Sequence, residues 1–216
     1  MSGRLGIYSQ AAGGELPFAF GNALGLNGTN QYGGLTTGIT TNTTTTISCW
    51  FKLDAFGSVF YGNSTDTNIA IRTVSNTVIR WFNRSSKDFT VPAMSVGVRY
   101  HLTFTISGSS IRCYLNGTES PTLALSTSAV PINQIGRYYN GGFWLDGEVN
   151  ELAFDTTQVA TQANITALYN GGLGANYLSV MGAADAYYQF NASDGTDSSG
   201  NGNTMTLFNS PTFPTF

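Results

Sequence analysis

The chain has 216 residues, of which 41% are hydrophobic and only 10% charged, and its formal net charge is -3. This length supports one large domain with its own core, which excludes a disulfide-stapled mini-fold. The nine Lys and Arg residues are scattered, which excludes a phosphate-neutralising surface for nucleic acid, and no stretch of about 18 apolar residues offers a membrane-spanning helix.

Residues 1–20 are rich in Gly and Ala and weakly patterned. They lack a basic segment followed by an apolar one, so no signal peptide is expected. They read as an N-terminal arm or an edge strand, with residues 21–216 forming one domain. The threonine-rich stretch 36–46, TTGITTNTTTT, reads as a loop leading into the next strand. From there, alternating apolar and polar residues predict strands at 47–53, 77–82, 100–106, 110–115, 147–154 and 186–190. Turn residues separate them: Asn116-Gly117, Asn140-Gly141-Gly142, Asp146-Gly147 and Asn170-Gly171-Gly172. Residues 158–169 predict a single short helix, with Val159, Ile165, Ala167 and Leu168 on one face and Thr156 or Thr157 as its cap. Cys49 and Cys113 each sit inside an apolar alternation and read as reduced, buried hydrophobes. Many short strands with such turns make an all-β sandwich or barrel.

Five segments, taken in order, resemble the laminin-G-like domains of the concanavalin A-like superfamily. They are ALGLNGTNQYGGL (23–35), ISCWFKLD (47–54), YHLTFTISGSSIRCYLNGTE (100–119), the stretch 135–172, and AYYQFNASDGTDSSGNGNTMTL (186–207). The resemblance implies a two-sheet antiparallel jelly-roll sandwich. One departure is that the Asp-Ser-Ser-Gly-Asn segment, which commonly precedes the Ala-Leu opening, here closes the chain. That resembles a circular shift, which the fold tolerates if its first and last strands are neighbours.

Related folds include glycoside hydrolases, which need two carboxylates facing one sugar. Here Glu148-Val-Asn150-Glu151 resembles the Glu-x-Asp-x-x-Glu strand of laminarinase-type glucanases, with Asn150 replacing the middle acid. In a regular strand Glu148 and Glu151 point to opposite faces, so no catalysis is expected. The lone histidine, His101, lies within a strand and reads as structural. Asp194, Asp197, Asn201 and Asn203 form a dense set of hard oxygen ligands, and the resemblance implies calcium there; an Asx-rich turn bonding its own backbone is the other reading. Sugar or partner binding needs exposed aromatic rings beside hydrogen-bonding groups. The candidates are Trp81, and the loop cluster Arg137, Tyr138, Tyr139, Asn140, Phe143 and Trp144.

Two functions follow as expectations. The first is a non-enzymatic virion surface protein, of the kind that decorates phage capsids or builds fibres. It would be made in the host cytoplasm, bind a capsid protein or other virion protein, and form a homo-oligomer. The second is a carbohydrate-binding lectin or adhesin module that takes a cell-surface glycan.

Overall fold

The structure, a computed structural model, describes residues 18–216 apart from 68, 126–128 and 140, so most of the expected arm lies outside the described residues. In chain order the strands are β1 (Leu24–Asn27), β2 (Tyr32–Thr40), β3 (Thr44–Leu53), β4 (Val59–Gly62), β5 (Ile69–Ser75), β6 (Val78–Asn83), β7 (Ser85–Thr90), β8 (Arg99–Ser107), β9 (Ser110–Leu115), β10 (Thr118–Glu119), β11 (Ala124–Leu125), β12 (Pro131–Ile135), β13 (Asp146–Asp155), β14 (Ala186–Tyr188) and β15 (Met205–Phe208). They form two antiparallel sheets. The first runs β1-β13-β3-β8-β9-β10, with β11 on β9 and β14 on β13; the second runs β15-β2-β12-β4-β5-β6-β7. The expected two-sheet sandwich is the observed fold.

All six predicted strands are present. The threonine-rich stretch corrects the loop expected there: β2 continues to Thr40, β3 begins at Thr44, and only 41–43 connects them. β-branched Thr fits a pleated strand. Its hydroxyls are also satisfied when buried, as where Thr46 donates to Gln158 O at 3.0 Å and accepts from Ala160 N–H at 2.8 Å. Those two bonds hold 158–160 extended across the sheet, so the helix α1 starts later than expected, at Gln162–Tyr169. Its cap is Thr161, not Thr156 or Thr157, and the Thr161 and Asn164 side chains close a capping box. Ile165 and Leu168 face inward, whereas Ala167 lies outside the buried face. A second short helix, α2 (Tyr177–Met181), follows.

Between the sheets, aromatic rings from opposite layers meet. Phe51 of β3 lies 4.9 Å from Phe60 of β4, and Phe154 of β13 lies 5.3 Å from Tyr61. Phe104 of β8 takes Trp81 at 5.3 Å and Phe89 at 5.5 Å, both edge-on. Such contacts add to the transfer energy of ring burial. Cys49 and Cys113 sit in this core as free, buried thiols.

Trp81 therefore corrects one expectation. Its side chain is fully buried in the core, so it offers no platform to a ligand. Replacing Trp81 with Ala should cost about 3–5 kcal/mol, read as a lower urea midpoint at unchanged slope; a loss under about 1 kcal/mol would contradict this placement.

Candidate functional site

Among the described residues, no helix covers the outer face of the second sheet. Alternation puts Leu35, Ile71, Ile79 and Met205 into the core, so Tyr32, Arg72, Arg80 and Phe208 point outward. Across this face folds the connection from β12 to β13. Leu145 N–H donates to Gly136 O at 2.9 Å, Tyr138 N–H to Phe143 O at 3.0 Å, and Gly141 N–H to Tyr138 O at 2.9 Å, closing a small hairpin. The hairpin presses onto β4 at Gly62, where a Cβ would lie 2.2 Å from Arg137 O; only glycine permits that approach. Tyr138 OH donates to Thr67 O and pins the loop from its other side.

This packing leaves rings and cations at the surface. Tyr32 and Phe208 stack at 4.4 Å with 4° between their planes. The Arg137 guanidinium lies 4.6 Å from the Tyr32 ring centre and 5.4 Å from that of Trp144. Arg72 lies 4.5 Å from the centre of Phe143, whose side chain is exposed. Two clefts flank the hairpin. The larger, about 430 Å³, is lined by Tyr32, Phe208, Arg137, Tyr139, Asn133 and Gln134 among others; its volume falls in the range of small-ligand sites. The smaller, about 190 Å³, is lined by Arg72, Arg80, Phe82, Tyr138 and Phe143. Of the six loop residues expected to cluster, Arg137, Tyr138, Tyr139, Phe143 and Trp144 lie together here, and Asn140 lies outside the described residues. Sequence reasoning missed Tyr32, Phe208, Arg72 and Phe82. Tyr32 and Phe208 lie near opposite ends of the chain and meet only because β15 pairs with β2.

The outer face of the first sheet is covered over much of its area instead. Trp50 is covered by Phe20 at 4.9 Å and by Tyr169 at 5.9 Å, and Phe216 joins the cluster. Leu168, Tyr177 and Tyr187 cover Ala153. Beneath lies a buried polar layer. Ser48 Oγ and His101 Nε2 are 2.9 Å apart. Burial pushes the His101 pKa down to about 3 from 6.5, so the ring is neutral. Its Nδ1 has no partner among the described residues, so no acid orients it as a triad would require.

With this geometry in view, the sequence matches the Concanavalin A-like lectin/glucanases superfamily over residues 27–166. The chain belongs to that superfamily. No curated protein matches its sequence. Among solved structures, a Bacteroides ovatus protein named for carbohydrate binding is 16% identical, with a TM-score of 0.68 over 92% of this chain and 61% of that one. This chain thus spans about three fifths of the Bacteroides protein. Domain 4 of an extracellular arabinanase from Geobacillus stearothermophilus, solved with arabinotriose, is 19% identical, with a TM-score of 0.51 over 71% and 76% of the two chains. The enzymatically active domain of tailspike protein 2 from bacteriophage CBA120 is 10% identical, with a TM-score of 0.52 over 74% and 28%. At these identities the likeness is one of fold.

The superfamily resemblance implied calcium at Asp194, Asp197, Asn201 and Asn203, and the donors present do not fit that ion. Asp197 accepts from Tyr187 N–H at 3.0 Å and Ser199 N–H at 2.9 Å on one oxygen, and from Ser199 Oγ and Asn203 N–H, both at 2.9 Å, on the other. Asp194 accepts from Thr196 N–H at 2.9 Å. Asn201 and Asn203 turn their amides inward, donating to Ala184 O at 2.8 Å and Asp185 O at 2.7 Å. The loop bonds its own backbone, the alternative given above.

The glucanase-like strand brings a second correction. β13 bulges after Asn150, where Glu151 takes a positive φ of 49° and two residues oppose one of β3. Glu148, Asn150 and Glu151 therefore share the outer face; the regular strand assumed above would have divided them. Glu148 pairs with Lys52 at 2.6 Å. Asn150 donates to Asn22 O at 2.7 Å. Glu151 is buried, accepting from Tyr187 OH and from Gln189 Nε2. Burial pushes its pKa from 4.5 up to about 8, against the smaller opposing effect of Gln189, so it is largely protonated at neutral pH.

A folded-state pKa raised above the unfolded one favours folding below about pH 4.5 and loses that contribution as pH rises toward 8. Glu151→Gln should therefore be less sensitive than wild type to a rise from pH 5 to pH 8. His101 acts equally on both proteins, so the difference in their urea midpoints isolates Glu151. Parallel midpoints across that range would refute a buried, protonated Glu151.

Proposed function

We propose that this chain is a non-enzymatic binding module that recognises carbohydrate on the outer face of its second sheet. The observation that carries this reading is the convergence of Tyr32, Phe208, Arg137 and Tyr139 around one open cleft of about 430 Å³. Aromatic faces stack against the C–H face of a sugar ring, and the neighbouring Asn133 and Gln134 amides both donate to and accept from its hydroxyls. The Bacteroides and arabinanase folds, one named for carbohydrate binding and the other solved with an arabinose oligomer, support the same reading. Glu148 held by Lys52 and Glu151 buried beneath Tyr187 leave no accessible carboxylate pair on β13, which supports binding without hydrolysis.

A glycan array should return binders. Tyr139→Ala or Trp144→Ala should weaken the best of them about threefold to tenfold while leaving the fold intact. No binding across the array would sink the proposal.

A second reading concerns where the module is displayed. The fold likeness to a phage tailspike domain and the low charge of the chain favour a virion surface protein, in which the same cleft meets host-cell glycans. Such a protein should co-purify in fixed stoichiometry with particles, as a symmetric homo-oligomer bound to a capsid or other virion protein. A monomer absent from purified particles rules this display out and leaves the carbohydrate proposal standing.

A further inference from the structure

Two arginines at the hairpin are held by rings where an acid would ordinarily hold them. Of the three arginines lining the clefts, Arg80 is neutralised: Asp88 grips it bidentately at 2.6 and 2.7 Å. Arg72 lies opposite Arg80 in the register and packs on Phe143. Its pKa is lowered, first by burial and then by the charge of Arg80. Among the described residues, no carboxylate pairs with Arg72 or Arg137. The Nε–H of Arg137 is buried without an acceptor among those residues. Among the described residues, no Asp or Glu lines either cleft, although the chain has 12 acidic residues against nine Lys and Arg.

A neutral sugar needs acceptors for its hydroxyls, and carboxylates are the strongest the protein has. The Asn133 and Gln134 amides serve hydroxyls, but two guanidinium groups without an ion pair call for an anion, and that anion belongs to the ligand. A carboxylate matches the planar fork of Arg in a bidentate pair.

We propose that the saccharide is acidic, with a sugar carboxylate received by Arg137 in the larger cleft and a second anionic subsite at Arg72. This inference rests on the carbohydrate reading and names its ligand class. The cation–π contacts hold each guanidinium in place while leaving its outward N–H donors free for an anion.

The test titrates the full chain with trigalacturonate, its methyl ester, sialyllactose, lactose and sulfated lactose, at low and high salt. The acids should bind at least about tenfold more tightly than the ester and lactose, because hydrogen bonds to charged groups are the strong ones. That preference should weaken with salt. Arg137→Gln should abolish the preference while retaining weak binding of lactose, and Arg72→Gln should reduce it. If Arg137→Gln does not fold, the comparison of acid with ester on wild type decides alone. Lactose or the ester binding as tightly as the acids would overturn the inference and spare the carbohydrate reading. Binding of sulfated lactose alone would overturn the carboxylate assignment. Binding of none would overturn the inference, while the glycan array decides the carbohydrate reading separately.

Discussion

Strand β13 needs hydrogen-bonding partners along both edges, and no single strand supplies the outer one. β3 pairs along its whole length on one side. On the other side β1 covers Asp146 to Val149, and β14 covers Leu152 to Phe154, end to end. Unpaired backbone groups at a buried edge are costly, so both short strands must dock there. The bulge at Asn150 and Glu151 falls where the two strands meet. β1 and β14 lie near opposite ends of the described chain, so satisfying β13 brings those ends together. The ends are then fastened directly: Ala23 N–H donates to Pro214 O at 2.8 Å, and Phe216 N–H to Gly21 O at 2.9 Å. This accounts for the shifted order of the family segments. The first strand β1 and the last strand β15 lie in different sheets, but residues 21–25 and 212–216 run side by side, so a sandwich whose segments are joined and cut elsewhere keeps the same pairings.

The shared edge also divides labour between the sheets. The bulge turns Glu151 onto the outer face of the first sheet, where Asn150 already lies, beside Ser48 and His101. Polar groups there are tolerable only when bonded, or neutral and shielded. The helices and both end segments shield them, and burial leaves His101 and Glu151 uncharged at neutral pH. Where it is covered in this way, the face does not meet solvent. Among the described residues, no helix lies on the outside of the second sheet, and the hairpin that leads straight into β13 folds across it. The β13 pairing therefore fixes the base of that hairpin, and the hairpin in turn positions Arg137 and Trp144.

Much of this was legible in the sequence because alternation reports burial directly. β3, β8, β9 and β13 sit centrally in the first sheet, where one face meets the core, and their patterns are clean. The threonine-rich stretch misled because Thr is polar by composition yet strand-forming by shape, and its hydroxyls found partners only after folding. Trp81 and Trp144 are both aromatic candidates in the sequence, with Trp144 the better placed because Gly141 and Gly142 mark a loop tip. The distinguishing signal was present: Trp81 is in phase with Ile79, two residues earlier on the same strand, and so shares its inward face. Trp144 follows the two glycines of the hairpin and is bridged to Arg137. The bulge on β13 and the Tyr32–Phe208 stack had no local signal. One depends on where two distant strands end, and the other on a pairing between the second strand and the last.

Scarcity of charge makes each cation informative. Lys52, Arg80 and Arg112 are matched to Glu148, Asp88 and Glu119, and pairs this close to solvent contribute little to stability. Arg99 instead lies over the rings of Phe20 and Phe216, at 5.5 and 5.0 Å. There the cation helps to hold the two chain ends on the first sheet. Arg137 and Arg72 use the same ring contact on the second sheet, beside the two clefts. An ion pair would have occupied the guanidinium donors, whereas a ring occupies only its flat face. The same interaction is thus structural where both partners are covered and leaves a binding group available where one edge faces a cleft.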